Sequence, residues 1–364
     1  MTENLQRYHR QMLLPGFGKA GQRRLIDSSV LLLGCGALGS VAADLLARAG
    51  VGHLIIADRD CIELSNLQRQ VLFDERDVEQ AVPKAVAAQR RLRRINSQVR
   101  VSAVVDDINH TNIARYAAGA DVIVDGLDNF EGRYLANDLA VSQGLAYLYG
   151  AAIGATGMAF SVLPHTAGKT PWETHADGNL ATPCLRCLFP ELPAPGASPT
   201  CDTAGVISAA VGIVANYQVA EALKVLTGNL DRVNRTLLEF DLWWNEIVQL
   251  DVNRAYAEAD CPCCKQRDFA YLDGKAAANA TSLCGRDAVQ LRHRQHDTDI
   301  DLPALGRRLR AHGPVSANEF VLRASIQDNG GQYEITLFPN GRAIVKGTGD
   351  AAVARSIYAR YVGT

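Results

Sequence analysis

The chain has 364 residues, more than one hydrophobic core usually holds, so a large domain with a smaller one is expected. Its 48% hydrophobic and 21% charged residues exclude a disordered or fibrous chain and suit a folded enzyme. With 37 basic against 39 acidic side chains the formal charge is −2, so neither nucleic acid nor an anionic membrane is expected as a partner. No apolar run reads as a bilayer span of about 20 residues. The first residues carry no apolar stretch of the secretory-leader kind. Nine cysteines, an odd number with two close clusters, suit thiols and a metal site in the cytoplasm better than a disulfide framework.

In chain order, residues 29–33, 53–57, 99–104 and 121–125 read as strands. Three of them are continuous β-branched or leucine runs, as expected where both sheet faces are covered. Helical patterns at 38–49, 83–95 and 131–143 lie between them, which predicts a mostly parallel α/β sheet. Residues 151–268 form a less regular second region. It holds a Pro/Gly-rich stretch from Pro183 to Pro199, a helix over 203–227 closed by Gly228, and strands at 237–241 and 247–250. That helix is apolar or small round most of its circumference, which predicts burial, with a subunit interface as one cover. A polar stretch around 265–280 precedes a tail of 281–364. The tail reads as a helix (302–311), a hairpin across 328–331, a strand (343–345) and a helix (350–361).

Gly34-Cys35-Gly36-Ala37-Leu38-Gly39 ends the first strand and opens the next helix. Glycines there permit a tight turn and let amide groups approach a phosphate at the helix N-terminus. Asp58 ends the second strand, where a carboxylate can accept both ribose hydroxyl protons. The pattern predicts a nucleotide, against a tight turn without a ligand, and does not choose between NAD and ATP.

The following segment favours ATP. Between Asp60 and Gln70 the chain is too polar for a crossover helix, and it offers Ser65, Asn66, Arg69 and Gln70 near the nucleotide. Pro83-Lys84 opens the next helix with proline in the favoured first position. Lysine in a first turn opposes the helix dipole, so an anion is expected against it. A triphosphate would supply one; solvated surface charges are the alternative for Arg69 and Lys84. Asp128-Asn129 follows the fourth strand, in the crevice where open α/β sheets bind ligands. Asp128 suits Mg2+, which binds through one or two carboxylates and phosphate oxygens. Taken alone, the pair reads better as an Asx turn.

Cys184 and Cys187 form one Cys-x-x-Cys pair and Cys261 and Cys264 another, the usual supply for one tetrahedral structural Zn2+. A redox pair or free thiols are the alternative. Cys263 is one residue off this spacing and is expected to point away, though it could compete. Cys201 precedes the long helix, where a thiol tends to a lower pKa, so it reads as reactive or as a small residue near a crossover. Cys35 and Cys61 read as packing residues, and Cys284 has no assignment. Arg90, Arg91, Arg93 and Arg94 suit the negative end of a helix dipole. His293 and His296 read as surface residues, and Trp243-Trp244 as a core or rim feature between strands.

Together, Arg7-Tyr8-His9-Arg10-Gln11, the glycine loop, Ser65-Asn66-Leu67-Gln68-Arg69-Gln70, Lys84, Gly126-Leu127-Asp128-Asn129 and the cysteine pairs stand in a telling order. The chain resembles the ThiF/MoeB adenylyltransferases, bacterial relatives of ubiquitin-activating enzymes, over roughly 5–268. Its tail, with Phe338-Pro339-Asn340-Gly341-Arg342, resembles the extension on some ThiF proteins of thiazole synthesis and not a rhodanese. The resemblance implies a Rossmann-like, mostly parallel sheet with a zinc-bearing second half over 1–268 and a small α+β domain over 281–364.

It also implies roles. Gly34, Gly36, Ala37, Gly39, Asp60, Gln70 and Asn129 would line the nucleotide, with Ala37 where some relatives carry a further glycine. Asp58 would hold the ribose; Ser65, Asn66, Arg69 and Lys84 would contact phosphates, and Asp128 would bind Mg2+. Arg10 would reach into the other protomer's site, which implies a homodimer. Cys201 matches a cysteine that can take the activated acyl group. The implied reaction is adenylylation, by ATP, of the C-terminal glycine carboxylate of a ubiquitin-like sulfur carrier ending in Gly-Gly. A ThiS-like carrier for thiamine comes first and a MoaD-like carrier for molybdopterin second, with a cysteine desulfurase or rhodanese as sulfur donor. A carboxylate nucleophile needs no general base, which agrees with arginine, lysine and aspartate but no histidine among the candidates. The rivals are adenylylation of another carboxylate such as a peptide C-terminus, a tRNA-modifying activity disfavoured by the near-neutral charge, a dehydrogenase disfavoured by Arg69 and Lys84, and a non-catalytic scaffold that docks a carrier.

Overall fold

A computed structural model describes residues 5–166, 168, 170–191, 204–276, 281–283, 287–291, 300–328 and 330–363. The chain forms two compact units. The first spans Met1–Pro195 and Ala204–Ala277, the second Gly196–Thr203 and Ala278–Thr364.

The first unit is built on an eight-stranded sheet. β1 (Ser29–Leu33), β2 (His53–Ala57), β3 (Arg100–Val104), β4 (Val122–Asp125) and β5 (Ala146–Ile153) run parallel in the spatial order β3-β2-β1-β4-β5. Residues 30–33 of β1 are fully buried because helices cover both faces, which is why this strand is a leucine run. Helices Ala37–Ala49, Lys84–Ile95 and Phe130–Gln143 connect the strands, the first and last closed by left-handed Gly50 and Gly144. The strand order reverses between β1 and β4, so the carboxyl ends of these two strands frame a crevice.

The less regular stretch 151–268 continues the same sheet. The expected boundary near 150 falls inside β5, and β6 (Thr156–Val162), β7 (Leu237–Asp241) and β8 (Glu246–Leu250) extend the same sheet in antiparallel register. Gly154, at φ 58°, allows the tight reversal between β5 and β6. The long helix runs from Ser208 to Thr227, five residues shorter at its start than expected. It is also long and apolar enough, by length and composition, to cross a membrane, a feature the sequence reading passed over. Half of that stretch is buried. Gln218 pins the helix to the sheet by donating to Asp125 O and Leu148 O, both at 2.8 Å. Ala209, Ile213, Asn216 and Ala220 form an exposed stripe along it.

The second unit has an antiparallel sheet in the order β11-β12-β13-β14-β10-β9. These strands are β9 (Thr281–Leu283), β10 (Ala288–Leu291), β11 (Val315–Ala317), β12 (Leu322–Asp328), β13 (Gly331–Leu337) and β14 (Ala343–Lys346). The β12–β13 hairpin pairs Asp328 with Gly331, where the turn was expected. Helices Leu302–Leu309 and Ala351–Tyr361 contribute Leu305 and Ile357 to a core with Val289, Leu322, Ile335 and Val345.

Candidate nucleotide site and cysteine cluster

The glycine loop follows β1 and the Gly126-Leu127-Asp128 turn follows β4, so both stand where the strand order reverses. A β-carbon on Gly34 would lie 2.4 Å from Gly126 O, and one on Gly126 would lie 2.5 Å from Gly34 O. On Gly39 it would lie 2.0 Å from Gly34 O. These three glycines are used in backbone packing that ties the loop to the turn. Gly36 differs, since a β-carbon there would meet only Gln70 Nε2, at 3.8 Å. It caps a 13-residue helix whose first amides have no acceptor within the helix, so an anion can approach there.

Two variants separate these roles. Gly39→Ala should destabilise the fold by about 3 kcal/mol or more through overpacking. Gly36→Ala should cost about 1 kcal/mol or less, yet weaken ATP binding. Melting curves with and without ATP check both, and equal destabilisation by the two substitutions would refute the distinction.

Asp58 braces the loop from the end of β2. Its carboxylate accepts from Cys35 N and Asp60 N, each at 2.7 Å. Burial pushes its pKa up, while Lys84 and these amides oppose the rise. Lys84 is itself buried, with Nζ 3.0 Å from Asp60 Oδ2. Burial works against the lysine charge, but Asp60 and Asp58 outweigh it and raise its pKa. The anion expected against Lys84 is therefore supplied by the protein itself, and its place in the first turn needs no triphosphate to explain it.

Arg59 is a second, half-buried cation that the sequence reading missed. Its Nη1 donates to Asp107 at 2.9 Å and its Nε lies 3.8 Å from Asp60. Burial opposes its charge, and Asp60, Asp107 and Asp128 together raise its pKa. The signal was the run Asp58-Arg59-Asp60 at a strand's end, which a surface turn would show equally.

Asp128 is exposed and accepts from Asn129 Nδ2 at 3.0 Å through Oδ1. Its Oδ2 makes no hydrogen bond among the described residues. Asn129 Oδ1 caps the following helix by accepting from Gly132 N at 2.8 Å, so the Asx-turn reading describes Asn129. Lys84 and Arg59 both approach Asp60, and the Asp128 charge adds to the field that raises the pKa of Lys84, Arg59 and Arg133.

The other candidates scatter more. Asn66 is buried and its Oδ1 accepts from Glu63 N at 3.1 Å, so it serves its own turn. Arg69 donates to Ser65 O at 2.9 Å, and no hydrogen bond or ion pair among the described residues joins either to Lys84 or Asp128. Gln70 is buried on the Gly36 side, and its Oε1 has no hydrogen-bond partner among the described residues. Ala37 is the first residue of the glycine-loop helix. Arg10 is exposed on a segment anchored by Gln11, whose Nε2 donates to Ala49 O at 2.7 Å. Leu13 and Leu14 beside it are also exposed. Cys201, Cys284, His293 and His296 lie outside the described residues. Trp243 and Trp244 are each 72% exposed, which assigns them to the rim and not to the core.

The cysteines of the two pairs converge. Cys184, Cys187, Cys261 and Cys264 are buried, with all four Sγ atoms within 4.8 Å of one another. Cys184 lies 3.9 Å from Cys187 and 3.6 Å from Cys261, and Cys187 lies 3.3 Å from Cys264. Four thiolates about 2.3 Å from a zinc ion stand about 3.8 Å apart in a tetrahedron, so donor set and spacing fit. Hydrogen bonds from Cys187 and then Cys261 hold the Cys184 thiol well below its ordinary pKa. Cys263 stands outside this set, its Sγ 3.3 Å from Asn137 Nδ2.

Residues 8–263 match the family model described as the ThiF family. The chain belongs to the ThiF family. This ThiF-family chain is 44% identical, over 359 residues, to the sulfur carrier protein ThiS adenylyltransferase of Bacillus subtilis (strain 168). That match covers 98% of this chain and 99% of the relative. It is 35% identical to the sulfur carrier protein ThiS adenylyltransferase of Escherichia coli (strain K12), over 72% of this chain and 95% of that protein. Among solved structures, E. coli MccB with succinimide is similar at a TM-score of 0.58 and 23% identity, covering 71% of this chain and 74% of that one. This last likeness shows the fold alone.

Proposed function

We propose that this ThiF-family adenylyltransferase activates the C-terminal glycine carboxylate of a small ubiquitin-like sulfur carrier ending in Gly-Gly. The observation that carries the reading is the open carboxylate of Asp128 on the turn whose Gly126 packs against Gly34 of the glycine loop, at the reversal of strand order. The near end-to-end match to a ThiS adenylyltransferase favours a ThiS-like carrier of thiamine thiazole synthesis over a MoaD-like carrier of molybdopterin synthesis. The E. coli relative spans 95% of its own length with 72% of this chain, which supports placing the tail outside the adenylylation machinery.

In the reaction, a carboxylate oxygen of the carrier attacks the α-phosphorus of ATP. The bond from that phosphorus to the oxygen bridging the β-phosphate breaks, and pyrophosphate leaves with the electron pair. The product is the carrier's acyl-adenylate. The nucleophile is already an anion, so the protein orients and neutralises charge without a general base. Asp58 receives the ribose; Gly36, Gln70 and the first amides of the helix beginning at Ala37 face the phosphates, with Lys84, Arg69, Ser65 and Asn66 around them. Asp128 would hold Mg2+, which when bound neutralises phosphate charge. Cys184, Cys187, Cys261 and Cys264 would hold Zn2+, which contributes folding energy.

The chain works as a homodimer in the cytoplasm, with Arg10 of one protomer serving the other's site. Exposed Arg10, Leu13 and Leu14 and the bare stripe of the Ser208–Thr227 helix support that arrangement. A cysteine desulfurase or rhodanese would supply sulfur to the activated carrier, with Cys201 as a candidate acyl acceptor. Carrier-dependent ATP–pyrophosphate exchange tests the proposal. Exchange is expected with a ThiS-like or MoaD-like carrier and lost when its terminal glycine is removed. ATP binding without exchange for either carrier would instead indicate a docking scaffold.

A further inference from the structure

Beneath the turn that carries Asp128 lies a buried polar knot that neither the sequence motifs nor the proposed chemistry uses. Asp125, the last residue of β4, is fully buried. Its Oδ1 accepts from Leu127 N at 2.8 Å and its Oδ2 accepts from Tyr147 Oη at 2.8 Å. Arg133, from the first turn of the Phe130–Gln143 helix, places Nε 3.3 Å from the same Oδ2 as an ion pair. Its Nη2 donates to Leu127 O at 2.9 Å and Gly150 O at 3.1 Å. Its guanidinium lies over the rings of Tyr149 and Phe130, at 5.3 and 5.6 Å.

This is a costly arrangement. An arginine near a helix N-terminus opposes the dipole, and burying an ion pair usually gains less than apolar packing would. What the pair achieves is positional. Leu127 has its amide held by Asp125 and its carbonyl held by Arg133, so the peptide groups on both sides of Leu127, the second of them leading into Asp128, are clamped. Gln218 fixes the strand end behind it through Asp125 O.

We infer that Arg133 is a positioning residue: with Asp125 and Tyr147 it fixes the Leu127 backbone, so that the Asp128 carboxylate is held at the crevice between the carboxyl ends of β1 and β4. The role assigned to Asp128 rests on the proposed adenylylation; the clamp itself does not. Arg133→Lys keeps a cation near Asp125 but cannot make the paired carbonyl contacts. Tyr147→Phe deletes one hydrogen bond to Asp125 without changing volume appreciably, and carries the same test should the lysine variant fail to fold. Three readouts are taken on the full-length protein: deuterium uptake over 126–130, Mn2+ affinity by electron paramagnetic resonance with ATP present, and the Mg2+ dependence of exchange. Uptake should quicken, Mn2+ affinity should fall about tenfold, and the Mg2+ needed for half-maximal exchange should rise about tenfold, as small misplacements do. The KM for the carrier should stay within about twofold, since Asp125, Tyr147 and Arg133 are buried beneath the turn. Unchanged uptake overturns the inference, and so does faster uptake with unaltered metal dependence, which would make Arg133 a fold stabiliser only. If the wild-type protein gave no exchange at all, the adenylylation reading would fall, while uptake and Mn2+ affinity would still decide the clamp.

Discussion

Replacing Asp128 with alanine is expected to lower carrier-dependent ATP–pyrophosphate exchange by about 10²–10³-fold, the usual loss for one preorganised charge removed from a transition state. Asp128 suits the test because it is exposed and, among the described residues, makes a single hydrogen bond, from Asn129. Its loss should therefore leave stability within about 0.5 kcal/mol, so the rate change reads chemistry and not unfolding. Lys84 would be a poorer probe. It is buried against Asp60 and close to Asp58, and its removal would strand carboxylates, at a cost of up to about 3–5 kcal/mol for a buried pair. Arg69→Ala lies between these cases, since Arg69 is half-buried and, among the described residues, donates to Ser65 O of its own turn alone. Exchange rates and melting curves of Asp128→Ala and Arg69→Ala, measured side by side, decide the matter. Full exchange in the Asp128 variant would remove the proposed site.

The sheet that carries this site was readable in part. Strands such as Ser29–Leu33 announce burial by continuous apolar runs, and Gly34 to Gly39 announces the turn that follows. β5 and β6 did not stand out because they are rich in glycine and alanine where other groups press close. A β-carbon on Gly150 would lie 2.5 Å from Gln218, and one on Gly157 would lie 2.3 Å from Phe240. Small residues there serve close approach by the Ser208–Thr227 helix and the neighbouring strand, not a loop. Charged residues of the site were legible one by one, but their pairings were not. Lys84 meets Asp60 and Arg59 meets Asp107 only after β2 and β3 are laid side by side, and no spacing rule links residues so far apart. Arg133 was missed for the same reason, since its partners come from β4, β5 and a turn. The cysteine pairs were legible because each carries its own spacing, and folding had only to bring two local knuckles together.

That convergence leads to the second large effect, in the variant with both Cys184→Ser and Cys187→Ser. The wild-type chain should bind about one zinc ion, and the double variant none, because two ligands cannot close a tetrahedral site. Structural zinc contributes about 10–16 kcal/mol in small zinc domains, as much as the whole stability of an ordinary domain, about 5–15 kcal/mol. The double variant is therefore expected to lose its cooperative melting transition or to melt far below the wild type. Cys263→Ser is the matched control. Cys263 is buried against Asn137, whose Oδ1 also accepts from Leu185 N at 2.8 Å, so it braces the first knuckle from the side. Its substitution should keep about one zinc per chain, with a stability loss of about 1–3 kcal/mol for the altered hydrogen bond. Elemental analysis and thermal melting separate these outcomes. Zinc lost from the Cys263 variant would make that thiol a ligand, and a metal-free wild type that melts cooperatively would show that the four cysteines are packed as thiols only.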